Sequence, residues 1–296
     1  MNQADARRET RAGWGFTAPA LFLIAVFFVL PALAALALSF TDFDIYSIGD
    51  ASLTRFVGLA NYRALLDNPV FWIALRNTAV FVVLGVPLSI VVSLGAALLL
   101  NSLTGRFRSV FRTAWFTPYI TTLVAVAIVW RYLYHPQYGW VNATLSAFGI
   151  PPIDWLGQPG WAMLAIVLLS VWKGFGYTMI VFLAGLQSIP EELYEAARLD
   201  GAGWWRQLRH ITLPQLRPTF LFVAIITFLG YCQVFAEPYV MTQGGPLKST
   251  TSIVLFMYEE GFRWWRIGPA AAIAVVLFLI MLVATAIQLR LAREES

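Results

Sequence analysis

The chain has 296 residues, of which 59% are hydrophobic and 12% charged, with a formal net charge of +4 and a mean hydropathy of +0.70. A soluble domain carries about a quarter charged residues, so this composition would leave large apolar patches open to water. An ordinary soluble globule is excluded, and the basic excess reads as the topogenic signal of a membrane protein rather than a nucleic-acid footprint.

A helix that crosses a bilayer needs about 20 mostly apolar residues. Six runs meet that length: Phe16–Phe40, Trp72–Leu100, Phe116–Tyr134, Trp161–Leu186, Thr219–Met241 and Ile267–Leu289. They are continuous rather than alternating, which predicts an all-α membrane protein and not a barrel. The first run contains Ala32-Leu33-Ala34-Ala35-Leu36, similar to a signal-peptidase site. Its apolar length exceeds the roughly 7–15 residues of a signal-peptide core, so it is expected to stay as a first helix. Arg7 and Arg8 read as orienting charges rather than a twin-arginine signal. With the N-terminus inside, inner segments hold twelve Arg or Lys residues and outer segments five. The expectation is therefore a cytoplasmic tail 1–15, a six-helix domain 16–291 and a cytoplasmic tail 292–296.

Cys232 is the only cysteine, so neither an intrachain disulfide nor a cysteine zinc site is available. His135 and His210, the two histidines, are far apart in sequence and leave little for a metal cluster or catalytic relay. No metal site and no catalytic residue is predicted.

Between the fourth and fifth runs lies a polar island, YEAARLDGAGWWRQLRHITLP, from Tyr194 to Pro214. The charge count puts it on the cytoplasmic side. Ser188 and Glu191 have capping-box spacing, Pro190 suits a first turn, and Gly201 suits a left-handed stop after Leu199. A second short helix from about Gly203 is expected to end before Pro214. Leu193, Ala196, Ala197 and Asp200 then share one face, with Glu195 beside them. The plainer alternative is an amphipathic surface loop anchored by Trp204 and Trp205.

Glu195-Ala196-Ala197, three residues, Gly201, nine residues, then Ile211-x-Leu213-Pro214 resembles the EAA signature of ABC-importer permeases, matching at all seven fixed positions. The resemblance implies a type I ABC importer transmembrane fold, with the loop 188–217 as the coupling element that seats in a cytoplasmic ATPase. Glu195, Ala196, Ala197, Asp200, Gly201, Leu213 and Pro214 would make that contact. Phe56–Tyr62 (FVGLANY), Arg76-Asn77-Thr78, and Met241–Pro246 (MTQGGP) with Ser249-Thr250-Thr251 are similar to segments of carbohydrate-uptake permeases, notably the maltose and glycerol-3-phosphate types. The family relation implies a second, homologous permease as heterodimer partner, two ATPase subunits that bind ATP and Mg, an extracytoplasmic solute-binding protein, and a bacterial inner-membrane location. No cofactor is expected in this chain.

No Gly-Lys pair occurs, so a Walker A loop is missing and ATP hydrolysis falls to other subunits. Polar residues inside spans default to functional candidates. Lys173, Gly174 and Tyr177 in the fourth run, with Thr227, Tyr231, Gln233 and Glu237 in the fifth, offer rings and hydrogen-bonding groups for a sugar. The alternative is that the glycines and tyrosines pack helices, and that Lys173 pairs with Glu237 or snorkels. Resemblance to maltose-type permeases places Gly174, Tyr177, Thr227 and Tyr231 along the substrate path and leaves Lys173 open. A cation there keeps glycerol-3-phosphate or a glycerophosphodiester as alternative substrates. An ATP-independent secondary transporter or a polytopic enzyme is the remaining reading, disfavoured because the spans carry no catalytic constellation and show no inverted repeat.

Overall fold

The computed structural model describes residues 3–103 and 105–294, nearly all of them in helices or short connections. Among these, the one β pairing is an isolated bridge between Thr41 and Phe56. Five helices are long and apolar enough to cross a membrane: α1 (Gly13–Leu38), α2 (Pro69–Ser102), α5 (Pro159–Gln187), α7 (Arg217–Met241) and α8 (Ile267–Leu291). The third expected run is instead a bent pair, α3 (Gly105–Ile120) and α4 (Leu123–Leu133), whose axes differ by 99°. Counted as one span, the pair makes six. Residues 3–15 of the expected N-terminal tail are helical and continuous with α1. Residues 1, 2, 295 and 296 of the two tails lie outside the described residues.

The chain divides into two compact units, Met1–Asn68 with Met257–Phe278, and Pro69–Phe256 with Leu279–Ser296. In the first unit, the FVGLANY segment folds back on the end of α1. The Asn61 side-chain amide donates to the carbonyls of Ser39 and Thr41, each at 2.8 Å. Ser39 is the C-cap of α1, whose carbonyl the helix itself leaves unsatisfied. The Tyr62 hydroxyl pairs with the Ser39 hydroxyl at 2.7 Å, and the Phe40 ring packs on Phe56 and Tyr62. Gly58 turns the segment with φ of +57°, a region that favours glycine. Arg55 grips Asp42 at 2.8 Å; its backbone N–H first, and then its guanidinium, holds that carboxyl below the usual carboxylate range.

The second unit is organised by α2. Its buried residues include Ala74, Thr78, Phe81, Gly85, Ser89, Ser93 and Ala97, a stripe of mostly small side chains at three- and four-residue intervals. Such a stripe lets membrane helices approach closely, where water cannot drive association. The Ser93 hydroxyl donates to the Phe175 carbonyl at 3.2 Å and pairs with the Thr178 hydroxyl, tying α2 to α5. At Gly176 a Cβ would overlap the Trp115 carbonyl, so the backbones of α3 and α5 touch there.

Two interruptions shape the site. Between α3 and α4, Pro118 contributes no N–H to the ladder and the chain turns at Thr121–Thr122. Continuous hydrophobicity concealed this break because Pro118 and both threonines sit in an otherwise apolar run. The second interruption lies in α7, where Gln233–Phe235 leave the helical path before Ala236–Met241 resumes it. There the Ser252 hydroxyl donates to the Val234 carbonyl at 2.6 Å. The loop that brings Ser252 in is held by α2. The Asn77 amide donates to the carbonyls of Lys248 (2.7 Å) and Thr251 (3.0 Å), and the Ile253 N–H donates to the Thr78 hydroxyl (2.9 Å). The Arg76-Asn77-Thr78 and Met241–Thr251 segments, separate in sequence, thus form one hydrogen-bonded unit.

Candidate functional site

The polar island is a helical hairpin. Its first arm is α6 (Glu191–Leu199), which ends as expected before Gly201, with φ of +72°. The Ala202 N–H closes the turn on the Ala197 carbonyl at 2.8 Å. The expected capping box does not form. Ser188 ends α5 instead, donating its hydroxyl to the Gly185 carbonyl at 2.8 Å, and Pro190 is the N-cap of α6. Glu191 pairs with Arg198 at 2.8 Å.

The second arm also differs from expectation, because it runs through Pro214. Trp204–Gln207 passes into a π-turn at Leu208–Thr212, a helical piece Leu213–Gln215 follows, and α7 begins at Arg217. A π-turn shifts the hydrogen-bond register just before the residue that lacks an N–H, so the coil need not stop. The same device, a π-turn at Ala25–Val29, precedes Pro31 in α1.

At its base the hairpin is bolted to the helices. Leu216 and Leu186 are buried, Tyr194 and Ile211 pack against their cluster, and the Tyr194 and Thr212 hydroxyls pair at 2.9 Å. At its tip, Leu199 is 91% exposed and Trp204 and Trp205 are each 65% exposed. Glu195, Ala196, Asp200, Gly201 and Pro214 are exposed, and Ala197 and Leu213 half-buried. The hairpin thus carries an apolar, exposed tip on a fixed base.

The second feature is a cavity of about 390 Å³ walled by α2, α3, α4, α5 and α7. It collects six of the seven path candidates: Lys173, Gly174, Tyr177, Thr227, Tyr231 and Glu237. Gln233 is not among them; it is exposed, and its amide points to the Met281 sulfur at 3.6 Å. Two residues past Tyr231, Gln233 lies about 200° around the helix from it, off the face carrying Thr227 and Tyr231. Gly174 has nothing near its missing Cβ and opens onto the cavity, whereas Gly176 makes the close helix contact.

Two aromatic pairs line the wall. Phe81 stacks on Tyr231 with centroids 4.9 Å apart, and Tyr119 on Tyr177 at 5.0 Å. Gly85 makes room for the Tyr231 ring, which a Cβ would overlap. Among the described residues the Thr227 hydroxyl is buried with no hydrogen-bond partner, and the Tyr231 hydroxyl, beside the Ser89 side chain, makes no well-formed hydrogen bond. A buried polar group in that state carries a desolvation cost that a visiting donor or acceptor can relieve. Lys173 and Glu237 form no ion pair of 4 Å or less among the described residues. Glu237 accepts from the Ser170 hydroxyl at 3.2 Å, while Lys173 donates to the carbonyls of Pro118 (3.3 Å), Tyr119 (3.0 Å) and Thr121 (3.0 Å). Sequence reasoning missed Phe81, Ser89, Tyr119, Ser170 and Thr178 on this wall. The buried stripe of α2 was the available signal for Phe81 and Ser89.

A family model described as binding-protein-dependent transport system inner membrane component matches residues 102–295. The chain belongs to that family. It is 39% identical over 289 residues to the lactose transport system permease of Rhizobium radiobacter, covering 96% of this chain and 95% of that one. It is 35% identical to the trehalose/maltose transport system permease of Thermococcus litoralis, covering 97% and 95%. It is also 35% identical to the sulfoquinovosyl glycerol transport system permease of Agrobacterium fabrum, covering 94% and 89%. The fold matches a bacterial ABC transporter involved in import of the acidic polysaccharide alginate, with a TM-score of 0.81 at 24% identity, covering 99% and 98%. The chain is thus a multi-pass inner-membrane permease component of the sugar ABC importer family. It is not an enzyme, and ATP hydrolysis belongs to partner ATPase subunits.

Proposed function

We propose that this permease forms half of the translocation path for a sugar or related polyol, and that the Glu195–Pro214 hairpin couples it to a cytoplasmic ATPase. The observation that carries the reading is the cavity. Stacked rings beside unpartnered buried hydroxyls suit a sugar, whose faces are apolar and whose edges carry hydroxyls. Its volume lies in the range of about 300–1,000 Å³ found for small-ligand pockets. Both termini and the hairpin face the cytoplasm in this reading, and the hairpin tip, with Glu195, Ala196 and Ala197 on its first arm, meets the ATPase.

A second, distinct permease completes the pore, two ATPase subunits hold ATP and Mg, and an extracytoplasmic binding protein delivers the substrate. The solved alginate importer in complex with its pentasaccharide-bound periplasmic protein supports that last partner by analogy of fold. Names of the similar proteins, which include lactose, trehalose/maltose and arabinooligosaccharides, favour glycosides over glycerol-3-phosphate.

The test is uptake by proteoliposomes holding the permease with its genomic neighbours: the second permease, ATPase and binding protein. Sugar uptake that needs ATP and the binding protein is expected. Uptake without either would establish an ATP-independent carrier and overturn the reading.

A further inference from the structure

Among the described residues, Lys173 and Glu237 are the only Lys, Arg, Asp or Glu side chains on the cavity wall. A lysine facing a substrate cavity would ordinarily be assigned to an anionic ligand. Its contacts point elsewhere. Because α3 ends at Ile120 and the chain swings through 99° into α4, the last carbonyls of α3 lose their i+4 helical partners, and the Pro118 carbonyl accepts instead from the Thr121 hydroxyl at 2.6 Å. The Lys173 ammonium donates to three carbonyls at that break, those of Pro118, Tyr119 and Thr121, at 3.0–3.3 Å. An ammonium has three N–H donors, so this set uses them all. A cation there also faces the negative end of the α3 dipole. The same ammonium lies 5.8 Å from the Tyr119 ring centroid, and that ring stacks on Tyr177.

We propose that Lys173 is a positioning residue that clamps the α3–α4 break and sets Tyr119 against Tyr177, and that, with its donors so committed, the cavity takes uncharged glycosides rather than phosphorylated or sulfonated ones. The second half rests on the reading of the cavity as a sugar path. A phosphate or sulfonate is recognised by charge-assisted donors, often several at once. Here it would have to strip the ammonium from the helix end, and it would meet the Glu237 carboxyl on the same wall. The other polar groups on that wall are serine, threonine and tyrosine hydroxyls, the partners an uncharged sugar uses.

The test uses the full chain in its complete transporter, in lipid nanodiscs for exchange and in proteoliposomes for uptake. Lys173→Met keeps the stem and removes the donors. Backbone amide exchange across residues 119–126 is expected to rise about tenfold, with exchange in α2 unchanged. Lys173→Arg, which keeps donors and charge, is expected to stay within about threefold of the parent. Parental exchange in Lys173→Met overturns the clamp. Should that variant not assemble, Lys173→Ala, which also removes every donor, probes the same carbonyls, and parental exchange in it overturns the clamp equally.

Uptake of lactose and maltose as neutral probes, and of glycerol 3-phosphate as an anionic one, tests the selectivity. A neutral probe whose Vmax falls in Lys173→Met while KM holds within about twofold supports the proposal. Glycerol 3-phosphate uptake by the parent overturns the selectivity, and its loss in Lys173→Met would assign Lys173 to the anion. If the parent moves no sugar at all, the proposed function falls, and the clamp still stands or falls on the exchange measurement.

Discussion

The hairpin and the cavity belong to the same compact unit but solve opposite problems. The hairpin buries its base and exposes apolar groups at its tip, Leu199, Trp204 and Trp205. The cavity hides polar groups inside an apolar bundle, leaving the Thr227 and Tyr231 hydroxyls without a well-formed hydrogen bond among the described residues. One is a contiguous segment whose spacing is set by a single helical turn and its stop. The other is assembled from five helices, and each contributes a few residues whose meeting depends on where helices break. A surface of the first kind suits transmission of force to another protein, and one of the second kind suits transient hydrogen bonding to something that passes through.

The comparison breaks most completely if helix approach is lost. Gly176 meets the backbone of Trp115 and Phe116, which cannot give as a side chain can. Gly176→Leu is expected to abolish assembly of the transporter, read as loss of the co-purifying complex. Gly174→Ala, facing open space, is expected to assemble normally, with at most a severalfold change in uptake. Equal effects of the two would dissolve the division between a packing glycine and a cavity glycine.

The next largest effect separates the two regions by function. Glu195→Lys at the exposed arm is expected to lower uptake at least about tenfold while the complex still hydrolyses ATP. Gly201→Val, forced to φ of +72° with a β-branched side chain, is expected to act in the same direction by re-aiming the tip. Normal uptake in both variants would remove the hairpin from the mechanism. A cavity substitution such as Tyr231→Phe should do the reverse, changing KM for sugar and sparing ATPase coupling. Because its hydroxyl makes no well-formed hydrogen bond among the described residues, only an approach to the Ser89 side chain, the loss is expected to cost little stability. Strong destabilisation of Tyr231→Phe would mean the hydroxyl serves the fold.

The two regions also differ in how far the amino-acid order exposes them. The hairpin was legible because its signals are local: Gly201 at the left-handed turn, polar residues between apolar runs, and a fixed spacing from Glu195 to Pro214. Where reading failed there, the cause was also local. Ser188 capped the preceding helix rather than the following one, and a π-turn absorbed Pro214. In the cavity, Tyr177, Thr227 and Tyr231 could be picked because polar groups in spans are costly. The bend that delivers Tyr119 could not be read, since hydropathy is blind to a break inside an apolar run. Lys173 carried the clue. A lysine inside a span needs partners; among the described residues Glu237 forms no ion pair with it within 4 Å, and the carbonyls of Pro118, Tyr119 and Thr121 at the helix break accept from it.

The smallest effect tests whether the hairpin is as rigid as its base implies. Tyr194 and Thr212 join its two arms through a single hydroxyl pair at 2.9 Å, with Thr212 buried and Tyr194 partly so. Tyr194→Phe removes one partner and keeps the ring that packs on the Leu186 and Leu216 cluster. The cost is expected to be about 1 kcal/mol, the net value of one such bond, because the Thr212 hydroxyl retains a longer contact with the Gln207 carbonyl at 3.4 Å. Thermal unfolding of the assembled transporter should shift by no more than a few degrees, while the ratio of sugar moved to ATP hydrolysed should fall if the arms must stay in register for coupling. An unchanged ratio would show that the arms need only their apolar base, and that the tip can transmit its load without the hydroxyl pair.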